Sequence, residues 1–135
     1  MRNHQELPAF CCLRDFTLAV HEATRRLPAT EAGGLALRLR ATLLSAAGAV
    51  VRGSGLPDRR FAGELAHAAC RLREAAYYLD VAQRLGYVDL GTAAELLSQQ
   101  SKALLEVELL GRSLVQAEYA GHLVLGSGRA VAEGT

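Results

Sequence analysis

Two short patterns in this chain carry residue types that could do chemistry. Glu64 and His67 stand three apart, the spacing at which two side chains on one helix can reach a single metal ion. His67 and Cys70 repeat that spacing and would set an imidazole against a thiol. Neither pattern is completed. A dinuclear carboxylate bundle needs a second Glu-x-x-His and further glutamates, yet Glu22 follows His21 directly and no second such pair occurs. A thiolate nucleophile needs an oriented base, an oxyanion hole and a pocket, and nothing in the sequence supplies them. The expectation is no catalytic residue, no metal, no cofactor, no small-molecule substrate and no enzymatic activity.

What remains is a set of arginines. All but one of the 15 basic residues are Arg, whose planar fork suits bidentate contact with phosphate or carboxylate. Arg38, Arg40, Arg52, Arg59, Arg60, Arg71 and Arg73 are the candidates for binding a nucleic acid or a partner. Tyr78 joins them as a ring on which a base or a partner side chain could stack. Arg73 and Tyr77 form an i,i+4 pair able to stack a guanidinium on a ring. Glu64, Glu74 and Asp80 interrupt the set, and the formal net charge is only +1. No global field therefore drives nucleic-acid binding, and a solvated face laced with ion pairs is the competing reading.

The elements that must position these residues are helices. From Asp58 to Gly86, apolar or small residues fall at Phe61, Leu65, Ala68, Leu72, Ala75, Leu79 and Ala82. That three-and-four spacing marks one helical face along a partner. A first helix is expected from about Ala9 to Leu27, closed by Pro28, with Leu13, Phe16, Val20 and Ala23 on its inner face. Thr30 would cap a second helix from about Glu31 to Arg52. GSGLP at residues 53–57 is the clearest break, and Asp58 follows as an expected N-cap. Gly86 suits the position after a helix, and Asp89 can cap a fourth helix running to about Ala120. Residues 1–8 and 121–135 read as flexible ends.

Four long helices with short connections predict an all-α antiparallel up-down-up-down bundle. The second helix is apolar almost all round, which places it centrally in the bundle or beneath another subunit. Leu43, Ala46 and Val50 are its expected oligomer-interface residues, and Gly48 is expected to permit a close helix crossing. The three cysteines, Cys11, Cys12 and Cys70, form no metal or CxxC pattern and read as small buried hydrophobes in a reducing compartment. No charged-then-apolar leader opens the chain, and no uninterrupted apolar run approaches the ~20 residues of a membrane helix. The expected home is the cytoplasm, with no membrane partner.

The order of helices and turns resembles the small four-helix-bundle proteins encoded in intervening sequences of bacterial 23S ribosomal RNA genes. That family opens helix two with E-x-x-GL, matched by Glu31, Gly34 and Leu35. Its next block, Q-[IL]-R-R-A-x-x-S-[IV]-P-x-N-I-A-E-G, is met at Leu39, Arg40, Ser45 and Gly53. Leu65, Ala68, Leu72 and Glu74 follow its third-helix pattern, and Leu85-Gly86-Tyr87 gives its L-G-Y. The similarity spans about Leu13 to Leu114. Ala47 stands where the family has proline, and Ala49, Val50, Val51 and Arg52 replace N-I-A-E, so a polar patch has become apolar. The bundle is also similar to the accessory variability determinant proteins of diversity-generating retroelements. These are ring-forming, non-enzymatic partners of a reverse transcriptase and its RNA, and their E-I-G-R block is distantly matched within Leu105–Arg112. The resemblance implies a homo-oligomer, with a pentamer favoured, that binds RNA or a ribonucleoprotein. The other class of function is a purely protein-binding or structural bundle.

Overall fold

Pro8 starts the first helix because a fixed φ and a missing N–H cost nothing at the first helical position. The computed structural model describes residues 2–27 and 33–133, with Glu118 and residues 122–133 as backbone only. Its helices are α1 (Pro8–Thr24), α2 (Gly33–Ser54), α3 (Asp58–Arg84) and α4 (Leu90–Glu133), preceded by a single 3-10 turn at His4–Glu6. They form an antiparallel four-helix bundle. Each helix packs on its neighbours in the square α1, α2, α3, α4, and among the described residues the diagonal pairs bring no backbones close together and meet only through core side chains.

The core is the set of stripes expected from spacing. Leu13, Phe16 and Val20 of α1 meet Phe61, Leu65, Leu72 and Leu79 of α3, with Leu39, Leu43 and Val50 of α2 and Val107 of α4, all essentially inaccessible. Such side chains each stabilise the fold by about 1.5–3 kcal/mol on burial. Among the described residues only two aromatic rings, Phe16 and Phe61, are fully buried, so small and branched aliphatic residues fill most of the interior.

Several boundaries differ from expectation. α1 ends at Thr24, three residues short of Leu27, with Arg25 as its C-cap. Thr24 and Thr17 fold their hydroxyls back onto the carbonyls of Val20 and Leu13 at 2.7 Å, a bond that competes with helical propagation. Thr30 and Glu31 lie outside the described residues. Asp58 is the first residue of α3 rather than its cap; Pro57 holds the cap position and makes no side-chain cap bond. α4 passes Ala120 and continues to Glu133, since no proline follows and an interior glycine costs a helix only about 1 kcal/mol. Residues 2–7 are tied down: Arg2 donates its backbone N–H to Ser54 O at 3.3 Å, pairs with Asp58 and lies over the Phe61 ring.

The remaining turns follow their chemistry. Gly86 has φ 78°, and its N–H donates to Gln83 O while that of Tyr87 donates to Ala82 O, the paired closure of a Schellman turn. Asp89 caps α4 as expected, accepting from the Thr92 backbone N–H at 2.8 Å and its hydroxyl at 3.0 Å. Those bonds, the backbone one foremost, hold the Asp89 carboxyl below its ordinary range. The glycine that permits a close crossing is Gly53, where a Cβ would stand 2.5 Å from Phe61 Cδ1; at Gly48 it would meet only the flexible end of Arg52.

Candidate functional site

α2 carries two apolar faces. Its inner stripe, Leu39, Leu43, Ala46 and Val50, is sealed in the bundle core. This corrects the expected interface: Leu43, Ala46 and Val50 are each 0% exposed within one chain, so a second subunit cannot reach them. The opposite face is apolar as well. Leu37, Ala41, Leu44, Gly48 and Val51 recur at steps of four and three, the spacing of a coiled-coil seam. Leu37 is 66% exposed, Leu44 58% and Val51 39%. Among surface helices that position normally carries charge.

The arginines of α2 lie beside this seam, and each turns to a neighbouring helix. Arg40 reaches back to α1, donating from Nε to Thr24 Oγ1 at 2.9 Å and from a terminal nitrogen to His21 O at 3.3 Å. It thereby adds a second donor to a last-turn carbonyl of α1 that otherwise takes a long 3.4 Å bond from the Thr24 hydroxyl. Arg52 pairs with Glu64 of α3 at 3.4 Å. Arg38 donates from Nε to the Tyr78 hydroxyl at 3.0 Å and lies over that ring. Tyr78 donates in turn to Glu74 Oε1 at 2.6 Å, and Arg71 donates to Glu74 Oε2 at 2.9 Å. The Tyr78 hydroxyl, followed by Arg71, holds the Glu74 carboxyl below the usual carboxylate range. The Nε–H of Arg71 is buried without a partner.

The other candidate residues are spread over α3. Arg59 and Arg60 are exposed on its first turn. Arg73 does not stack on Tyr77; it crosses to α4 and pairs with Glu108 at 2.7 Å, which also holds Arg112 at 3.5 Å. Between α3 and α4 this trio borders an apolar groove of about 580 Å³ floored by Leu65, Ala69, Val107 and Gly111. Cys70 opens into the groove and is exposed, and Cys11 and Cys12 are half-buried. The expectation of three buried thiols is thus corrected, because Cys70 sits one position outside the Ala68–Leu72 stripe. Glu64 is engaged by Arg52 at 3.4 Å. Among the described residues no three His, Cys, Asp or Glu side chains gather as metal ligands.

No protein-family model matches the chain, and no curated protein does.

The seam of α2 has one further consequence. Gly34–Ser54 is long and apolar enough, by length and composition, to cross a membrane, with mean hydropathy 1.4. Arg38 and Arg40 interrupt the run, which is why no continuous apolar stretch is visible residue by residue. In the bundle its inner stripe is buried as a core helix requires. The exposed stripe was present in the sequence all along, as Leu37, Leu44 and Val51 one position after Ala36, Leu43 and Val50. Two apolar stripes on opposite faces of one helix do not reveal which one faces inward. Arg38–Tyr78 and Arg73–Glu108 join residues 40 and 35 apart in the chain, beyond the reach of any local pattern.

Proposed function

We propose that this chain is a non-enzymatic helical scaffold that assembles with copies of itself and works by protein contact. The observation that carries the reading is the uncharged outer stripe of α2, Leu37, Ala41, Leu44, Gly48 and Val51, left open by a complete bundle. Arg38 and Arg40 turn sideways onto α3 and α1, and Arg52 reaches Glu64 of α3 with its guanidinium at the edge of the stripe beside Gly48. Water contact along such a stripe costs roughly 25 cal/mol per Å² of apolar surface, and an uninterrupted exposed stripe marks an interaction surface. The resemblance to the intervening-sequence bundles, which implies oligomers, agrees with it.

The test is the mass of the purified chain in solution by light scattering across a dilution series. Assembly predicts a mass that is a multiple of 14.4 kDa and falls towards the monomer in Leu44→Glu. A wild-type monomer at the highest concentration sinks the reading.

A second reading, contact with RNA or a ribonucleoprotein, draws on Arg52, Arg59 and Arg60 at the α2–α3 corner, where Arg59 and Arg60 are exposed. Its weakness is pairing: Arg52, Arg71 and Arg73 each already hold a carboxylate. Binding to structured RNA across a salt series decides it, because several Arg–phosphate contacts give an affinity falling steeply with salt. Absence of binding at low salt removes it.

A further inference from the structure

We infer that two copies pair through α2 in antiparallel register about a two-fold axis at Leu44, an inference that rests on the self-assembly reading above. The seam is self-complementary in that register. Reversing the helix about Leu44 sets Leu37 against the partner's Val51 and Ala41 against the partner's Gly48, with Leu44 against its own copy. Large side chains then meet at the ends and the middle. Between them the smallest residues face each other, which lets two helices approach closely.

Charge favours the same orientation. A two-fold axis that reverses α2 keeps both α3 helices on one side of the seam. Arg38 and Arg52 lie on that α3 side, since they bond to Tyr78 and Glu64. They sit at roughly equal distances from Leu44, about 9 and 12 Å along the helix at 1.5 Å per residue. Reversal therefore brings Arg38 beside the partner's Arg52–Glu64 pair. Arg38 forms no ion pair of its own among the described residues; its partner is the neutral Tyr78 hydroxyl. Glu64 is held by Arg52 only at 3.4 Å and can accept a second guanidinium. The two-fold makes this contact twice. An isologous contact of this kind closes at two copies.

Cross-linking reads the register directly. In a background with Cys11, Cys12 and Cys70 replaced by serine, Leu37→Cys and Val51→Cys chains are mixed, allowed to exchange and treated with a short bismaleimide. The antiparallel pair predicts cross-linked dimers from the mixture and little from either chain alone. Self-cross-linking of each chain alone would overturn the orientation. A dimer that gives no cross-link would overturn the surface. A mass five times that of the chain would overturn the two-fold while leaving self-assembly standing, and a monomer would remove both. As an independent readout, Arg38→Glu should weaken the dimer at least tenfold, and adding Glu64→Arg should restore it. Failure of that rescue with the fold intact would also count against the register.

Discussion

Nε of Arg38, on α2, donates a 3.0 Å hydrogen bond to the hydroxyl of Tyr78, on α3. Because that hydroxyl spends its own proton on Glu74 at 2.6 Å, one phenol couples two helices to a carboxylate. The Glu74 carboxyl is held below the usual carboxylate range, first by Tyr78 and then by Arg71. A lowered folded value means stabilisation that is present above the unfolded value and lost as pH falls through the folded one. Tyr78→Phe should cost about 0.5–1.5 kcal/mol at neutral pH. The gap should narrow in acid, where Glu74 is protonated in both proteins. Urea midpoints at neutral and acid pH check it; a gap independent of pH would dissociate Tyr78 from Glu74.

The two faces of α2 should respond differently to charge. Ala46 is 0% exposed and Leu44 58%. Ala46→Glu places an unpaired carboxylate in the core, at a cost of several kcal/mol (about 3–5), and should unfold the chain. Leu44→Glu should keep the helical circular dichroism of the wild type and lose only self-association. A folded Ala46→Glu protein of unchanged mass would contradict the core placement.

Three glycines should respond in three ways to alanine. At Gly53 a Cβ would lie 2.5 Å from Phe61 and 3.0 Å from Glu64 Cβ, so Gly53→Ala should cost about 1–3 kcal/mol through overpacking. Gly86 has φ 78°, and Gly86→Ala should cost about 1–2 kcal/mol in a left-handed conformation. Gly63 lies inside α3 with nothing within 4 Å of a Cβ, and Gly63→Ala should gain about 0.5–1 kcal/mol. Denaturant midpoints rank the three.

Arg40 holds the end of α1 through Thr24 Oγ1 and His21 O. Arg40→Met should cost about 1–2 kcal/mol, as the loss of charge-assisted bonds. The acceptors are a hydroxyl and a carbonyl rather than a carboxylate, so the loss should change little between low and high salt. A strongly salt-dependent loss would point to an ionic partner instead.

Cys70 is exposed, whereas Cys11 and Cys12 are half-buried. Cys70→Ser should change stability by no more than about 0.5 kcal/mol, the usual range for a surface substitution. In the native wild type Cys70 should be the first thiol alkylated by a maleimide, as peptide mapping would show. Alkylation of Cys11 or Cys12 ahead of it would reverse the assignment.

The sequence by itself determined the class of fold and most of its core. Leu13, Phe16 and Val20, with Phe61, Leu65, Leu72 and Leu79, occupy three-and-four positions that can be buried only on one side of a helix. Asp89 and Gly86 mark their turns through local chemistry alone, a carboxylate that caps and a residue free to take positive φ. The tertiary structure decided what local pattern leaves degenerate. On α2, two apolar stripes on opposite faces differ only in which one meets α1 and α3, so Leu43, Ala46 and Val50 went inside and Leu37, Leu44 and Val51 stayed out. Pairing was decided the same way. Whether Arg38 finds Tyr78, or Arg73 finds Glu108, depends on how neighbouring helices are set in axial register, and that register comes from the packing of the whole core.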